Sequence, residues 1–247
     1  MPADLVDVNF ESFSTKAAML AAGAPWDKGA EKRIDAMRLD KTVAPPGGTR
    51  SMRYDYNHGA NPCSSITIRR GVKFPAQQEV VVQHVVRFSP NWLNGGPCTG
   101  PYDFKLIFGD TEDDMSYRWG LHWGMHQGDQ IGFDYPLGDW AGGSAPTVRP
   151  DVRITKLLGI WFPLTQRIRH STTPASKDAR WRVWVGSTLI HDAAGFNTWK
   201  VDATKPEFIN GFGFGHNKDK GPANTTMSLW WGPVRVWSAA AAPAWTN

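Results

Sequence analysis

The stretch Glu79-Val-Val-Val-Gln-His-Val-Val-Arg-Phe88 decides the fold class, because ten residues rich in β-branched side chains predict one long strand. Side chains alternate along a strand, so every second residue from Val80 to Phe88 is predicted to face a core. The residues between them, among them Gln83 and Arg87, would face away. His84 falls in the core-facing set and is predicted to be a buried structural histidine instead of a ligand.

A second strand follows this one along the chain. Ser89-Pro90 closes the first strand, residues 91–101 form a Gly/Pro-rich loop, and Phe104-Lys-Leu-Ile-Phe108 again has strand character. We interpret the two as an antiparallel pair with one apolar face, which is the beginning of a β-sandwich.

Most of the chain repeats this pattern of short alternating runs, and helix signals are nearly absent. A brief helix or a turn is predicted at residues 14–22, whereas residues 129–143 and 145–150 have the composition of turns and loops. We predict an all-β, two-sheet antiparallel β-sandwich at residues 1–238, followed by an Ala-rich tail at 239–247 that is either frayed or a contact arm. Strands are predicted at residues 5–10, 33–39, 51–56, 64–74, 115–125, 160–170, 180–186, 208–215 and 227–237.

Composition and charge exclude several classes of protein. The 247 residues are 41% hydrophobic and 20% charged, which is typical of a globular chain. The net charge of +4 comes without a long run of Lys or Arg, so we expect no nucleic-acid partner. No apolar run is long enough to span a bilayer, and the first residues lack the features of a secretory signal, so we expect no membrane partner either.

The two cysteines, Cys63 and Cys98, each follow a proline in a predicted loop. Similar loop surroundings make them a candidate disulfide pair in an oxidising compartment, and two separate thiols are the alternative. Two cysteines are too few for a zinc site without histidines, so we predict no metal centre. The sequence indicates no cofactor; a structural calcium ion is left open, although no motif indicates one.

Residues 115–125 form the most informative alternation in the chain. One predicted face is aromatic, while the other carries Arg118 and His122, continues to His126, and has Gly120 and Gly124 between them. Glycine inside a strand leaves room for a ligand that lies across the sheet, or for curvature and neighbouring rings.

Placed on one sheet, the polar faces of these strands predict a cationic groove with an aromatic surface. Arginine binds carboxylates with two parallel hydrogen bonds, so the groove would suit an acidic polysaccharide or another glycan. So many cations require either such a ligand or carboxylates from loops such as residues 112–114. The predicted ligand-binding residues are Arg87, Arg118, His122, His126, Arg167, Arg169, Arg182 and Trp184.

If the groove is catalytic, its chemistry would be β-elimination on a uronate. Gln83, Arg87 or Arg167 would neutralise the carboxylate of the sugar, and His122 or His126 would act as the base.

These segments together resemble the concanavalin A-like jelly rolls, which include lectins, laminin-G-like modules and polysaccharide lyases. Among the lyases, the resemblance is nearest to the glucuronan and alginate type, although Lys105-Leu106 is followed by Ile107-Phe108 where that type has Pro-Gly. The Glu-x-Asp-x-x-Glu strand of the glucanase branch is absent. The resemblance implies that the first strand pairs with the last. It rests on residues 9–11, 48–54, 85–90, 105–108, 161–169, 182–186 and 231–237.

Three functions follow as hypotheses. The first is a non-catalytic jelly-roll protein that binds a glycan or a partner, in the setting of a virion as a decoration, fibre or tail-associated component. The second is a polysaccharide lyase that cleaves acidic polysaccharide. The third is a purely structural capsid or fibre protein that forms homo-oligomers or contacts virion partners through its tryptophans. All three imply an extracellular or virion-associated location.

Overall fold

The computed structural model describes residues 2–21, 26–32, 36–63, 66–67, 69–92, 104–110, 119–123, 130–134, 147–198, 208–214, 217–218, 221 and 223–246. Its main helix, α1, covers Lys16–Ala21. The strands in chain order are β1 (Val6–Val8), β2 (Trp26–Lys32), β3 (Met37–Asp40), β4 (Ser51–Asn57), β5 (Ile66–Thr67), β6 (Arg69–Gln77), β7 (Glu79–Phe88), β8 (Phe104–Asp110), β9 (Trp119–Trp123), β10 (Gln130–Asp134), β11 (Thr147–Arg153), β12 (Phe162–Arg169), β13 (Ala179–Val185), β14 (Thr188–Phe196), β15 (Ile209–Phe214), β16 (Asn217–Lys218) and β17 (Thr226–Ser238).

The strands form two antiparallel sheets, so the predicted all-β sandwich is confirmed. Sheet A has eight strands, in the order β14-β13-β12-β7-β17-β4-β3, with β1 beside β17. Sheet B has nine, in the order β11-β10-β9-β8-β15-β6-β2, with the short strands β5 and β16 off this path. The first strand pairs with the last, as the resemblance implied: Val6 lies opposite Val236 and Val8 opposite Val234.

The core lies between the two sheets and confirms the predicted alternation of β7. Val80, Val82, Val86 and Phe88 are fully buried in it. His84 is buried as predicted, because its ring packs edge-on against Trp231, with 5.7 Å between ring centroids. Burial lowers the pKa of His84 to about 3, so its ring is neutral at pH 7.

The predicted pairing of β7 with β8 is wrong. β7 lies between β12 and β17 in sheet A, whereas β8 lies between β9 and β15 in sheet B. The long connection from residue 89 to 103 lets the chain cross from one sheet to the other, where a tight turn would have kept both strands together.

Five of these strands lie where the sequence predicted turns or no element, and two of the five are β2 and the two-residue strand β16. β10 and β11 occupy the stretches read as turn-rich and Pro-bounded, and β14 carries Ala193, Ala194 and Gly195. These strands are made of residues with weak strand preference, so pairing with a stronger neighbour decides their conformation. β14, for example, pairs along its length with the Trp- and Val-rich strand β13.

Candidate functional site

The face of sheet A that points away from the core, here called outer face A, brings most of the predicted site residues together. Gln83 on β7 lies opposite Thr165 on β12, which lies opposite Trp184 on β13. In the next row, Arg167 lies opposite Arg182. Arg87 and Arg169 lie further along the same face.

Carboxylates on outer face A neutralise much of this positive charge. They come from strand ends and neighbouring strands of sheet A, so Arg167, Arg169 and Arg180 do not depend on an acidic ligand for their charge balance. The pairs are Arg167 with Glu79 at 2.6 Å, Arg169 with Asp178 at 3.0 Å and Arg180 with Asp192 at 2.6 Å.

The C-terminal segment, residues 239–246, covers part of outer face A. The carbonyl oxygen of Thr246 accepts hydrogen bonds from Arg167 Nη1 at 3.2 Å and Arg182 Nη1 at 3.1 Å. The ring of Trp245 meets Trp184 edge-on, with 5.8 Å between centroids. Thr246 itself is fully buried. The segment predicted as a frayed tail or contact arm is therefore folded against its own sheet.

Several residues on outer face A are buried, although they lie on the side of the sheet that points away from the core. Val81 and Thr165 have no exposed surface, although both lie on the outward side of their strands. Burial lowers the pKa of Arg182, and the charges of Arg180 and Arg167 lower it further. The groove predicted at Arg167, Arg182 and Trp184 is therefore closed by the chain itself.

The outward face of sheet B, here called outer face B, can be located from a buried residue. Phe212 on β15 is in the core. Gly109 on β8 lies opposite Phe212, and Trp119 on β9 lies opposite Gly109, so these positions share the core-facing row. Because residues alternate along a strand, Gly120 and His122 occupy outward positions on β9.

A row of three residues crosses β8, β9 and β10 on outer face B. Lys105 lies directly opposite His122, and His122 lies opposite Gly132. Directly opposed residues in an antiparallel pair are about 5 Å apart. The row therefore holds two basic residues as immediate neighbours, followed by a glycine.

A second row on outer face B crosses five strands. Gly71 lies opposite Gly213, Gly213 opposite Phe108, Phe108 opposite Gly120, and Gly120 opposite Asp134. Glycines in strand interiors mark places where another group approaches the backbone closely. Outer face B thus combines two basic positions with a row in which three of the five residues are glycines and the others are Phe108 and Asp134.

The prediction that all site residues share one sheet is wrong for His122. His122 is on sheet B, whereas Gln83, Arg87 and Arg167 are on sheet A. The two outer faces point in opposite directions, so His122 cannot act on the same sugar as these three residues. Strand alternation predicts which side of a strand a residue occupies, but not which sheet the strand joins.

Two predicted site residues, Arg118 and His126, lie outside the described residues, as does Cys98. Cys63 is disulfide-bonded. Sequence reasoning did not select Lys105 as a candidate, since its position opposite His122 follows from the register of β8 against β9.

Neither a metal cluster nor a membrane span is found in the described part of the chain. No group of three or more His, Cys, Asp or Glu residues in it is placed to hold a metal ion. No helix there is both long and apolar enough to cross a bilayer.

Comparison with known proteins identifies relatives by structure alone. No protein-family model and no curated protein matches the sequence. The fold is similar to an endo-β-1,4-glucuronan lyase from the fungus Trichoderma reesei, with a TM-score of 0.60 and 12% identity over 87% of this chain and 95% of that chain. It is also similar to a marine alginate lyase from Aplysia kurodai, with a TM-score of 0.57 and 12% identity over 90% of this chain and 94% of that one.

A third similar structure is the catalytic domain of a glycoside hydrolase family 131 protein from Coprinopsis cinerea. Its TM-score is 0.54, with 14% identity over 95% of this chain and 97% of that chain. These similarities confirm the jelly-roll β-sandwich that the sequence resemblance implied.

Proposed function

We propose that the protein binds an acidic polysaccharide across outer face B. The observation that carries the proposal is the row Lys105–His122–Gly132, which lies beside the glycine-rich row through Gly120. The carboxylates of an acidic polysaccharide need cations, and its sugar rings can lie against a sheet where side chains are small. Lys105 and His122 supply the cations, and Gly120 and Gly132 are their neighbours in the sheet.

Charge and topology support this choice of face. The chain has a net charge of +4, and Arg118 and His126 flank β9 in the sequence. Outer face A is a poorer candidate for a long chain, because Arg167, Arg169 and Arg180 are paired with carboxylates and its centre lies under the C-terminal segment.

The similar structures support the ligand class as an analogy between folds. Two of the three are lyases whose names specify glucuronan and alginate, and the third is a glycoside hydrolase. A glucuronan or alginate chain is therefore the first ligand to test.

Binding to alginate and glucuronan at low salt would test the proposal with matched variants. We expect Lys105→Ala with His122→Ala to weaken binding about 100-fold, since each of the two lost charge-assisted hydrogen bonds contributes about 1.5 kcal/mol, or about a factor of ten. Added salt should weaken wild-type binding in the same direction.

Arg169→Ala with Arg180→Ala is the control, because it also removes basic residues but from outer face A. The control variant should bind like the wild type. Retained binding by the sheet B variant, together with lost binding by the control, would contradict the proposal.

A second candidate function is β-elimination of uronate, favoured by the direct opposition of Lys105 and His122. A neutral imidazole would remove the proton from C5, Lys105 would stabilise the carboxylate as charge develops, and the bond from C4 to the leaving oxygen would break. A C4–C5 double bond forms, and the leaving oxygen takes up a proton.

Ultraviolet absorbance of unsaturated chain ends distinguishes turnover from binding alone. Sustained product that disappears in His122→Ala would favour the lyase over a purely binding protein. Binding without product under the same conditions would reject the lyase. The virion setting, the structural role and the homo-oligomer stay predictions, and light scattering of the purified chain would test the last of them.

A further inference from the structure

Outer face A has a second region, away from the C-terminal segment, where Trp230 lies between two arginines. Arg53 on β4 and Arg87 on β7 are the direct neighbours of Trp230 across the sheet. The guanidinium carbon is 5.3 Å from the Trp230 ring centroid for Arg53 and 5.9 Å for Arg87. Both distances are within the range of cation–π contacts.

The two arginines differ in their partners. Arg53 is paired with Asp55 at 2.7 Å and with Asp40 at 3.5 Å. Arg38 also pairs with Asp55, so the two carboxylates are shared by two arginines. Arg87 has no carboxylate partner among the described residues, and this region keeps one positive charge in excess.

The Nε–H group of Arg87 is buried and has no hydrogen-bond acceptor within the described ranges. Leaving a buried donor unsatisfied is unfavourable, more so for a charged group. An acceptor at this position would remove that cost.

A second buried donor belongs to the chain segment that runs past Arg87. The amide of Gly159 donates to the carbonyl oxygen of Phe88 at 2.9 Å, and Phe162 lies opposite Val86. The segment between Gly159 and Phe162, which includes Trp161, therefore runs past Arg87. Phe162 is buried in the core, so alternation places Trp161 on the outward side with Arg87.

The indole Nε1–H of Trp161 is likewise buried, and the described part of the chain provides no acceptor for it. Two N–H donors, one of them on a guanidinium that has no carboxylate partner, suit a carboxylate, which has two acceptor oxygens and a negative charge.

We propose that Arg87 and Trp161 form a carboxylate-binding site on outer face A, with Trp230 holding the Arg87 guanidinium in place. Arg87 Nε–H and Trp161 Nε1–H each donate to the bound carboxylate. The carboxylate comes either from an acidic sugar or from a simple organic acid. The site is on the opposite sheet from Lys105 and His122, so it does not depend on the polysaccharide-binding proposal.

The Trp161 indole N–H signal in a ¹H–¹⁵N NMR spectrum reports on this site alone and is identified by its loss in Trp161→Phe. Titration with glucuronate should move this signal, because the N–H gains an acceptor. Arg87→Gln should weaken the binding measured from it about 10-fold or more. Arg180→Gln, an arginine already paired with Asp192, should leave the affinity unchanged.

Acetate and glucose are titrated in the same way as comparison ligands. Tighter binding of glucuronate than of acetate assigns the site to sugar acids, and equal binding assigns it to carboxylates in general. A Trp161 signal that stays in place with a large excess of both acids overturns the proposal. So does an equal response to uncharged glucose, or an Arg87→Gln variant that binds like the wild type.

Discussion

Asp40 connects the edge strand β3 to Trp230, and its replacement by Asn gives the sharpest stability prediction. One carboxylate oxygen of Asp40 accepts from Trp230 Nε1 at 2.8 Å, and the other accepts from the Thr42 hydroxyl at 2.6 Å and the Thr42 amide at 2.7 Å. Burial alone would raise the pKa of Asp40, but the hydrogen bonds from Thr42, Trp230 and the Val43 amide lower it from 3.8 to about 2.

The contribution of Asp40 to the free energy of unfolding follows from the difference between its pKa in the folded protein and its ordinary pKa. The pKa of the folded state is below that of the unfolded chain, so the charged carboxylate stabilises the fold above pH 4 and loses this effect as the pH falls towards 2. At about 1.4 kcal/mol per pH unit, the contribution is about 2 kcal/mol at pH 7 and about 1 kcal/mol at pH 3.

Urea unfolding of wild type and Asp40→Asn at both pH values measures this contribution. We expect the variant to be less stable by about 2 kcal/mol at pH 7, with the difference reduced by about half at pH 3. Asp7→Asn is the control: Asp7 is an exposed partner of Arg235 at 3.5 Å, and its loss should change stability by less than about 0.5 kcal/mol. Equal stability of Asp40→Asn and wild type at pH 7, or a difference independent of pH, would refute the reasoning.

Two further substitutions test the packing. Gly221→Ala would place a Cβ atom 2.7 Å from Met227 Cε and against the His58 ring. We therefore expect the free energy of unfolding to fall by about 1–3 kcal/mol, measured by thermal unfolding. An unchanged Tm would show that the site has more room than described. Trp245→Ala removes the contact with Trp184, which contributes about 0.5–1.5 kcal/mol, so limited proteolysis should cut the C-terminal segment faster. Ile160→Ala, at another exposed apolar residue, should leave that cleavage rate unchanged, and equal rates for all three proteins would argue against the docked segment.

Local patterns in the sequence were sufficient for the fold class. The alternation in β7 and β12 follows from β-branched and aromatic residues whose preferences agree with the pairing they adopt. His84 could be assigned to the core because it lies between two valines in such a strand.

The assembly of the site depended on contacts between distant parts of the chain. Arg167 is paired with Glu79, 88 positions away, and hydrogen-bonded to Thr246, 79 positions away, and no local pattern predicts either contact. The predicted need for carboxylates near the arginines was sound, but on outer face A they come from Glu79, Asp178 and Asp192.

Local sequence patterns also do not predict which sheet a strand joins. A strand with basic residues has the same kind of sequence in sheet A and in sheet B, so Arg87 and His122 were predicted to lie on one surface. Register resolved this, since it paired His122 with Lys105 and placed Arg87 beside Trp230.

A crystal structure of the protein with a bound uronate oligosaccharide tests the central claim most directly. We predict electron density for the sugar across β8, β9 and β10, with its carboxylates near Lys105 and His122 and its rings over Gly120 and Gly132. An oligosaccharide that leaves these strands free and binds only elsewhere on the molecule would contradict the assignment of outer face B as the binding surface.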